Sequence, residues 1–521
     1  MKRTLSLILC IVLVLTALSG CGKSGAETTG DAGNTASEPA EVKDSLTIAL
    51  SAEPANLDYS LANDLNTFSI EGNIYEGLVR RDANGNLVPA LAESWTYSED
   101  GTEITFTLRE NVKFHNGDPM TADDVVFSFE KALASASTAR MTGSIESVTK
   151  IDDSHVLMKL KYSYGPIEGC LTNVNCAIVS KSAAESDPEG FARKPVAAGP
   201  YQVVEWASGE KIVMTAFEDY YRGTAPIKNL TFQIISDSAS ALIALEKGQI
   251  DMIPNTQATD KEHIITNPDL VYDETPSNSF FFLTFNNADG MFAGNTKLRQ
   301  AIAYAINKED VLLGAMEDVG EIAHSVIPSN CFGAPENPTD YEYDVEKAKA
   351  LLAEAGYPDG FTIKMPTMSS GNYIRISDIL VDQLRQVGIT VEQELMERTA
   401  YLQDVYTNCQ YEMTVLSVSA LQPDADFITY MRYHSAYIGG GNNFTKVSNP
   451  RIDELLEIGR FDNDPAARAA AYAELCQILT DDAVILPLLF PVNGVAANAS
   501  LQGVRANSDQ SVYVYDLSWG A

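Results

Sequence analysis

Cations are scarce in this chain. Lys and Arg total 36 against 71 Asp and Glu in 521 residues, a formal charge of −35. A surface that acidic repels phosphate backbones and anionic lipid heads, which argues against a nucleic-acid partner. Long apolar runs are also missing beyond the first twenty residues, so no transmembrane span is expected in the body. No C-x-x-C occurs, which makes a thiolate zinc site improbable. The five histidines, His115, His155, His263, His324 and His434, show no metal spacing. There is no G-x-S-x-G elbow, no G-x-x-x-x-G-K-[ST] loop and no H-E-x-x-H. Gly439-Gly440-Gly441 precedes Asn442-Asn443-Phe444 rather than a helix start, and reads as a flexible loop. These absences lower the case for an enzyme. They do not abolish it, because glycosidase carboxylates need no fixed spacing.

What is present is an ordinary globular composition, 45% hydrophobic and 21% charged. The length suggests two to four lobes at roughly 100–200 residues each. Lys2 and Arg3 precede a mostly apolar stretch from Leu5 to Leu18, and Leu18-Ser19-Gly20-Cys21 follows. That is a signal-peptide pattern, with residues 1–20 expected to be removed. Residues 22–44 are rich in Gly, Ser, Thr, Ala and acids and carry no aromatic, as expected for a disordered tether. Beyond Cys10 and Cys21, five cysteines remain. An odd number cannot all pair internally. Cys170 and Cys176 could bridge a loop or stay as free buried thiols.

Folded sequence begins near Ser45. Leu46, Ile48 and Leu50 alternate with polar or small residues, the period of a half-buried strand. Ile104, Phe106 and Leu108 repeat it, as do Val156, Met158 and Leu160, and strand-like runs recur at Lys211–Ala216 and Leu230–Ile235. Helix starts lie between them. Thr121-x-x-Asp124 reads as a capping box, Asn449-Pro450 and Asp464-Pro465 as capped starts with Pro at the first helical position, and Asp344 as a further cap. The class is α/β or α+β.

Several motifs in order carry a resemblance. They include Ile74-Tyr75-Glu76-Gly77-Leu78-Val79, Leu87-Val88-Pro89-Ala90-Leu91-Ala92-Glu93-Ser94-Trp95, Val112-Lys113-Phe114-His115-Asn116-Gly117, Gly199-Pro200-Tyr201, Leu298–Ile306 and Ser448–Leu456. Together they resemble the solute-binding proteins of bacterial ABC importers in family 5, the peptide/nickel family. The resemblance runs from about Ser45 to the C-terminus. It implies an α/β, bilobed periplasmic-binding-protein clamshell with an inserted subdomain. Lobe I would comprise 45–80, 197–285 and 490–521, the inserted subdomain 81–196, and lobe III 286–489. The segment ending at Cys21 is similar to a lipobox, implying lipidation of Cys21, an extracytoplasmic, membrane-anchored monomer and delivery to an ABC permease. No cofactor and no covalent chemistry are implied. A peptide-like solute is the leading expectation, with a nickel chelate or an oligosaccharide as alternatives within the family. A secreted hydrolase is the competing class.

Pocket residues follow from the same resemblance. Peptide-binding members hold the ligand ammonium with an Asp, in a loop that corresponds here to Leu416–Phe427. Leu421 falls at the Asp position, near Ser419, so Asp424 or Asp426 must serve instead, or else both only cap the next helix. Arg375 lies where dipeptide binders face the ligand carboxylate, and Arg140 could reach the cleft from the inserted subdomain. His434 lies near the loop His of nickel binders. Phe68 and Tyr433 could supply aromatic walls, as could Tyr59 and Tyr437.

Overall fold

The computed structural model describes residues 43–82, 85–420, 422–439 and 441–520. Cys21, the signal pattern, most of the tether and Leu421 lie outside the described residues.

Local signals in the sequence become elements for local reasons. Thr121 opens the helix Ala122–Leu133 through a reciprocal capping box with Asp124. Asp344 caps Val345–Glu354 through the Lys347 amide. Asn449 and Asp464 cap Pro450–Phe461 and Pro465–Asp481, each with proline just inside the start. Gly117 takes φ 87°, a left-handed turn open to glycine at no steric cost.

Three main sheets organise the chain. A seven-stranded sheet runs in the order Leu270–Pro276, Val492–Asn498, Met252–Ile253, Ser45–Leu50, Asn229–Ile234, Lys211–Ala216, Tyr201–Ala207. Ser45–Leu50 is parallel to both its neighbours, Asn229–Ile234 and Met252–Ile253, and the pairings outside these are antiparallel. Its core includes the fully buried Ile48, Tyr59, Ile70, Tyr201 and Phe232. The inserted subdomain is an antiparallel sheet, Ala92–Tyr97, Glu103–Leu108, His155–Leu160, Ile145–Lys150. The third sheet, also antiparallel, pairs Glu321–Ile322, Ile485–Phe490, Ser279–Phe285 and Met413–Ser419. Beside it lies the parallel pair Phe361–Met368 and Ile389–Met396, joined by the helix Gly371–Gln386.

One boundary corrects the sequence reading. Lobe I was expected to continue to residue 285, but Ser279–Phe285 pairs on both edges within the third sheet. Phe280, Phe282, Leu283 and Phe285 are fully buried, so the strand is apolar on both faces and alternation gave no sign of which sheet it joins. The chain crosses between the first and third sheets at Ser277-Asn278, and returns at Pro491. The two crossings touch: the Ser277 amide donates to the Pro491 carbonyl at 2.9 Å.

The structure decides between the two alternatives left for the cysteines. Cys170 and Cys176 form no disulfide. Both are free and buried, as are Cys331, Cys409 and Cys476. All five pack as small apolar groups in the core shared by the inserted subdomain and the third sheet's lobe. Burial pushes the Cys176 thiol up to about 12, which keeps it protonated.

Candidate functional site

The inserted subdomain meets the third sheet's lobe along one seam. Ser163 Oγ donates to the Phe461 carbonyl at 2.7 Å, the Gly165 amide to the Arg460 carbonyl at 2.9 Å, and Tyr164 Oη to Asp426 at 3.1 Å. Apolar packing from the two sides is continuous there.

Asp424 and Asp426 stand at this seam, and neither carboxylate is free. Asp424 caps the helix Ala425–Tyr433 through the Asp426 amide. Its oxygens also receive Arg468 Nη2 at 2.9 and 2.8 Å. Asp426 takes a two-pronged contact from Arg460, Nε and Nη2 each at 2.8 Å. Burial pushes the Asp424 carboxyl up, while Arg468 pulls the other way. Burial works against the Arg460 cation, but Asp426 outweighs it and its pKa is raised. The loop that could have held a ligand ammonium is thus neutralised from within. These partners lie 34 and 44 residues down the chain, and no local pattern announces them.

The remaining sequence candidates scatter. Arg375 is exposed and its guanidinium rests on Asn372 of the same helix turn at 2.7 Å. Ser419 is exposed at the end of Met413–Ser419. Phe68 is half-buried on the helix Leu65–Ile74. Tyr433 and Tyr59 are fully buried, so neither can be a wall open to solute in this conformation. His434 is buried, accepts from the Ala436 amide at 3.1 Å, and lies 3.6 Å from both Asp453 and Glu457. Among the described residues no group of three or more His, Cys, Asp or Glu could hold a metal. No described helix is long and apolar enough to cross a membrane.

Two cationic side chains that the sequence reading passed over lie on the helices Ala425–Tyr433 and Arg398–Tyr401. Arg432, on the helix Ala425–Tyr433, uses Nη1 on the Phe427 and Ile428 carbonyls at 2.6 and 2.9 Å. No carboxylate among the described residues pairs with it. Burial lowers its pKa to about 10, with the charge of Arg140 adding to that fall. Arg140, on the short helix Ala139–Thr142, keeps solvent access, yet the surrounding walls desolvate it enough to lower its pKa. Arg398 begins the helix Arg398–Tyr401 and is exposed. The charges of Arg398 and Arg432 both act on Tyr406, whose hydroxyl donates to the Ser417 carbonyl at 2.7 Å. Tyr373 meets the Ser417 hydroxyl at 2.8 Å. A lone cation in the helix Ala425–Tyr433 was the available signal for Arg432.

Two lobes crossed by paired strands, with a polar and cationic seam between them, define a periplasmic-binding-protein fold of the bilobed type. The comparison with known proteins agrees. Residues 86–440 match the bacterial extracellular solute-binding proteins, family 5, and the chain belongs to that family. The Oligopeptide-binding protein AppA of Bacillus subtilis (strain 168) is 27% identical over 99% of this chain and 98% of its own. The Heme-binding protein A of Haemophilus influenzae is 28% identical over 86% of each. The structure of HbpA2 from Haemophilus parasuis superposes with a TM-score of 0.86 at 26% identity, covering 92% of this chain and all of that one. The first two of these are named as binding proteins.

Proposed function

We propose that this chain is the lipid-anchored extracytoplasmic receptor of an ABC importer, that it captures a peptide-like solute between its lobes, and that it hands the solute to a permease without altering it. The carrying observation is the end-to-end match to an oligopeptide-binding relative, 99% of this chain against 98% of that one. The hinge is the pair of crossings at Ser277-Asn278 and Pro491, joined by one backbone hydrogen bond. Two single-strand connections bend about a few dihedrals, so the lobes can swing while each sheet stays intact. Lobe I then comprises the seven-stranded sheet, the inserted subdomain follows it, and lobe III starts at Ser279.

Closure is tested by scattering. A solute that raises the melting temperature should also shrink the radius of gyration, and a stabilising solute that leaves the radius unchanged contradicts the clamshell. Breakdown of peptides or oligosaccharides with turnover would favour the hydrolase class instead. The anchor is tested by Cys21→Ser. Loss of a two-chain lipid should move the protein from the membrane to the soluble fraction, because a single chain binds only marginally. Retention at the wild-type level contradicts it.

A further inference from the structure

We propose that residues 162–165 of the inserted subdomain are a plug that latches into a preformed socket on lobe III, so that the empty chain closes for part of the time with no solute between its lobes. This deepens the receptor reading and rests on it.

The socket is built from three helices of lobe III and is complete before the plug arrives. Asp426, in the first turn of Ala425–Tyr433, is held by Arg460 in the last turn of Pro450–Phe461. The Arg460 guanidinium also lies 3.3 Å from the centre of the Tyr430 ring, which fixes its plane. The last carbonyls of a helix have no partner inside it. Here Arg468, on Pro465–Asp481, donates from Nε to the Gly459 carbonyl at 2.7 Å. The carbonyls of Arg460 and Phe461 are left for the plug.

Four consecutive residues fill the socket. The Tyr162 ring meets Phe461 edge-on at 5.3 Å. Ser163 Oγ donates to the Phe461 carbonyl, and the Gly165 amide to the Arg460 carbonyl. The Tyr164 ring is buried 5.8 Å from the Arg460 guanidinium, with its hydroxyl on Asp426. Glycine at 165 is a steric requirement. A Cβ there would lie 2.6 Å from both Arg468 Nε and the Asp462 carbonyl. The backbone of Gly165 is not left-handed, so the missing side chain serves close approach rather than a turn. Gly101 leaves room for Asn463 beside it in the same way, since its Cβ would lie 1.8 Å from Asn463 Nδ2.

Every donor and acceptor in this contact belongs to the chain itself. When the lobes part, the same groups return to water, so the latch supplies only the modest difference between the two sets of hydrogen bonds. That difference populates the closed form without locking it, and solute shifts the balance the rest of the way.

The test is a cross-link on the full chain, stripped of solute and checked at its bare mass. Ser163 Oγ and Asn463 Cγ each lie 3.0 Å from the place where a Gly101 Cβ would sit, so the two side chains are neighbours in the closed form. Ser163→Cys combined with Asn463→Cys should therefore form a disulfide under mild oxidant with no solute present, read by the mass of the joined peptides. The five native thiols are buried and stay out of the reaction. The oxidised chain should have a smaller radius of gyration than the same chain reduced. Adding Tyr164→Phe should slow the link about tenfold, because a hydrogen bond to a charged acceptor is lost. Gly165→Val should slow it further. Should that variant fail to fold, Tyr164→Phe, which removes one oxygen and leaves Asp426 paired with Arg460, decides the matter. A folded chain that forms no link, a link formed at the same rate with Tyr164→Phe, or oxidised and reduced chains of equal radius overturns the latch, the last because the seam is then a permanent contact. None of these touches the receptor reading, which fails separately if the chain binds no solute at all.

Discussion

Arg468 places one guanidinium nitrogen, Nη2, between both carboxylate oxygens of Asp424, at 2.9 and 2.8 Å, in a pair that is almost fully buried. The same residue's Nε donates to the Gly459 carbonyl at 2.7 Å. The contact joins the loop before Ala425–Tyr433 to the helix Pro465–Asp481, and it decides what that loop can offer a ligand.

Removing one partner of such a pair strands the other charge. Asp424→Asn should destabilise the protein by about 3–5 kcal/mol, while replacing both residues by apolar groups should cost far less. Denaturant melts of the single and double variants check this. A single variant as stable as the wild type would mean that the pair opens to solvent, and that Asp424 is free for a ligand.

The ligand amine is the matching question. With Asp424 and Asp426 both satisfied, a buried ammonium would have no anion opposite it, at a cost of about 3–5 kcal/mol or two to three decades in affinity. N-acetylated peptides should therefore bind at least as well as their free-amine parents. Calorimetry on one matched pair reads this directly. A strong preference for the free amine would show that one aspartate leaves its arginine when solute arrives.

Acid stability should carry the mark of His115. Its Nε2 lies 3.1 Å from the Gly199 carbonyl and its Nδ1 accepts from the Ala197 amide. Burial lowers its pKa to about 4. A base with a depressed folded pKa adds stability above its unfolded value of about 6.5 and loses it as pH falls toward 4, a change of about 3 kcal/mol. Melts of the wild type between pH 7 and pH 4 should show the decline, and His115→Gln should lessen it. An identical slope in the variant would place the acid sensitivity elsewhere.

Glu71 works in the opposite direction. It is fully buried on Leu65–Ile74, and neither carboxyl oxygen finds a hydrogen-bond partner among the described residues. Burial pushes its pKa well up, helped by Asp58 and Asp64, with Lys131 opposing. An acid with a raised folded pKa is most favourable below its unfolded value of about 4.3, and stability declines as pH rises above it by up to about 1.4 kcal/mol per unit until the folded pKa is reached. Glu71→Gln should thus gain on the wild type as pH increases from 5 to 8. A constant difference across that range would mean that Glu71 is ionised and solvated.

Much of the fold was legible because its signals are local. The caps at Thr121, Asp344, Asn449 and Asp464 are satisfied within three residues of themselves, so short patterns reveal them. The strand Ser279–Phe285 was assigned to the wrong lobe because a run apolar on both faces says only that it is central. The site was less legible. Asp424 and Asp426 look like ligand groups until Arg468 and Arg460 arrive from distant helices. Arg432 and Tyr433 are neighbours in sequence, but a helix turns about 100° per residue. One is therefore left at the seam and the other is sealed in the core, and a short motif cannot show which.

Native mass spectrometry of the gently purified full chain tests the central claim most directly. The account predicts a small solute bound one to one, released on denaturation and chemically unchanged. A chain found at its bare mass, gaining no adduct from a mixture of short peptides that includes acidic ones, would contradict it.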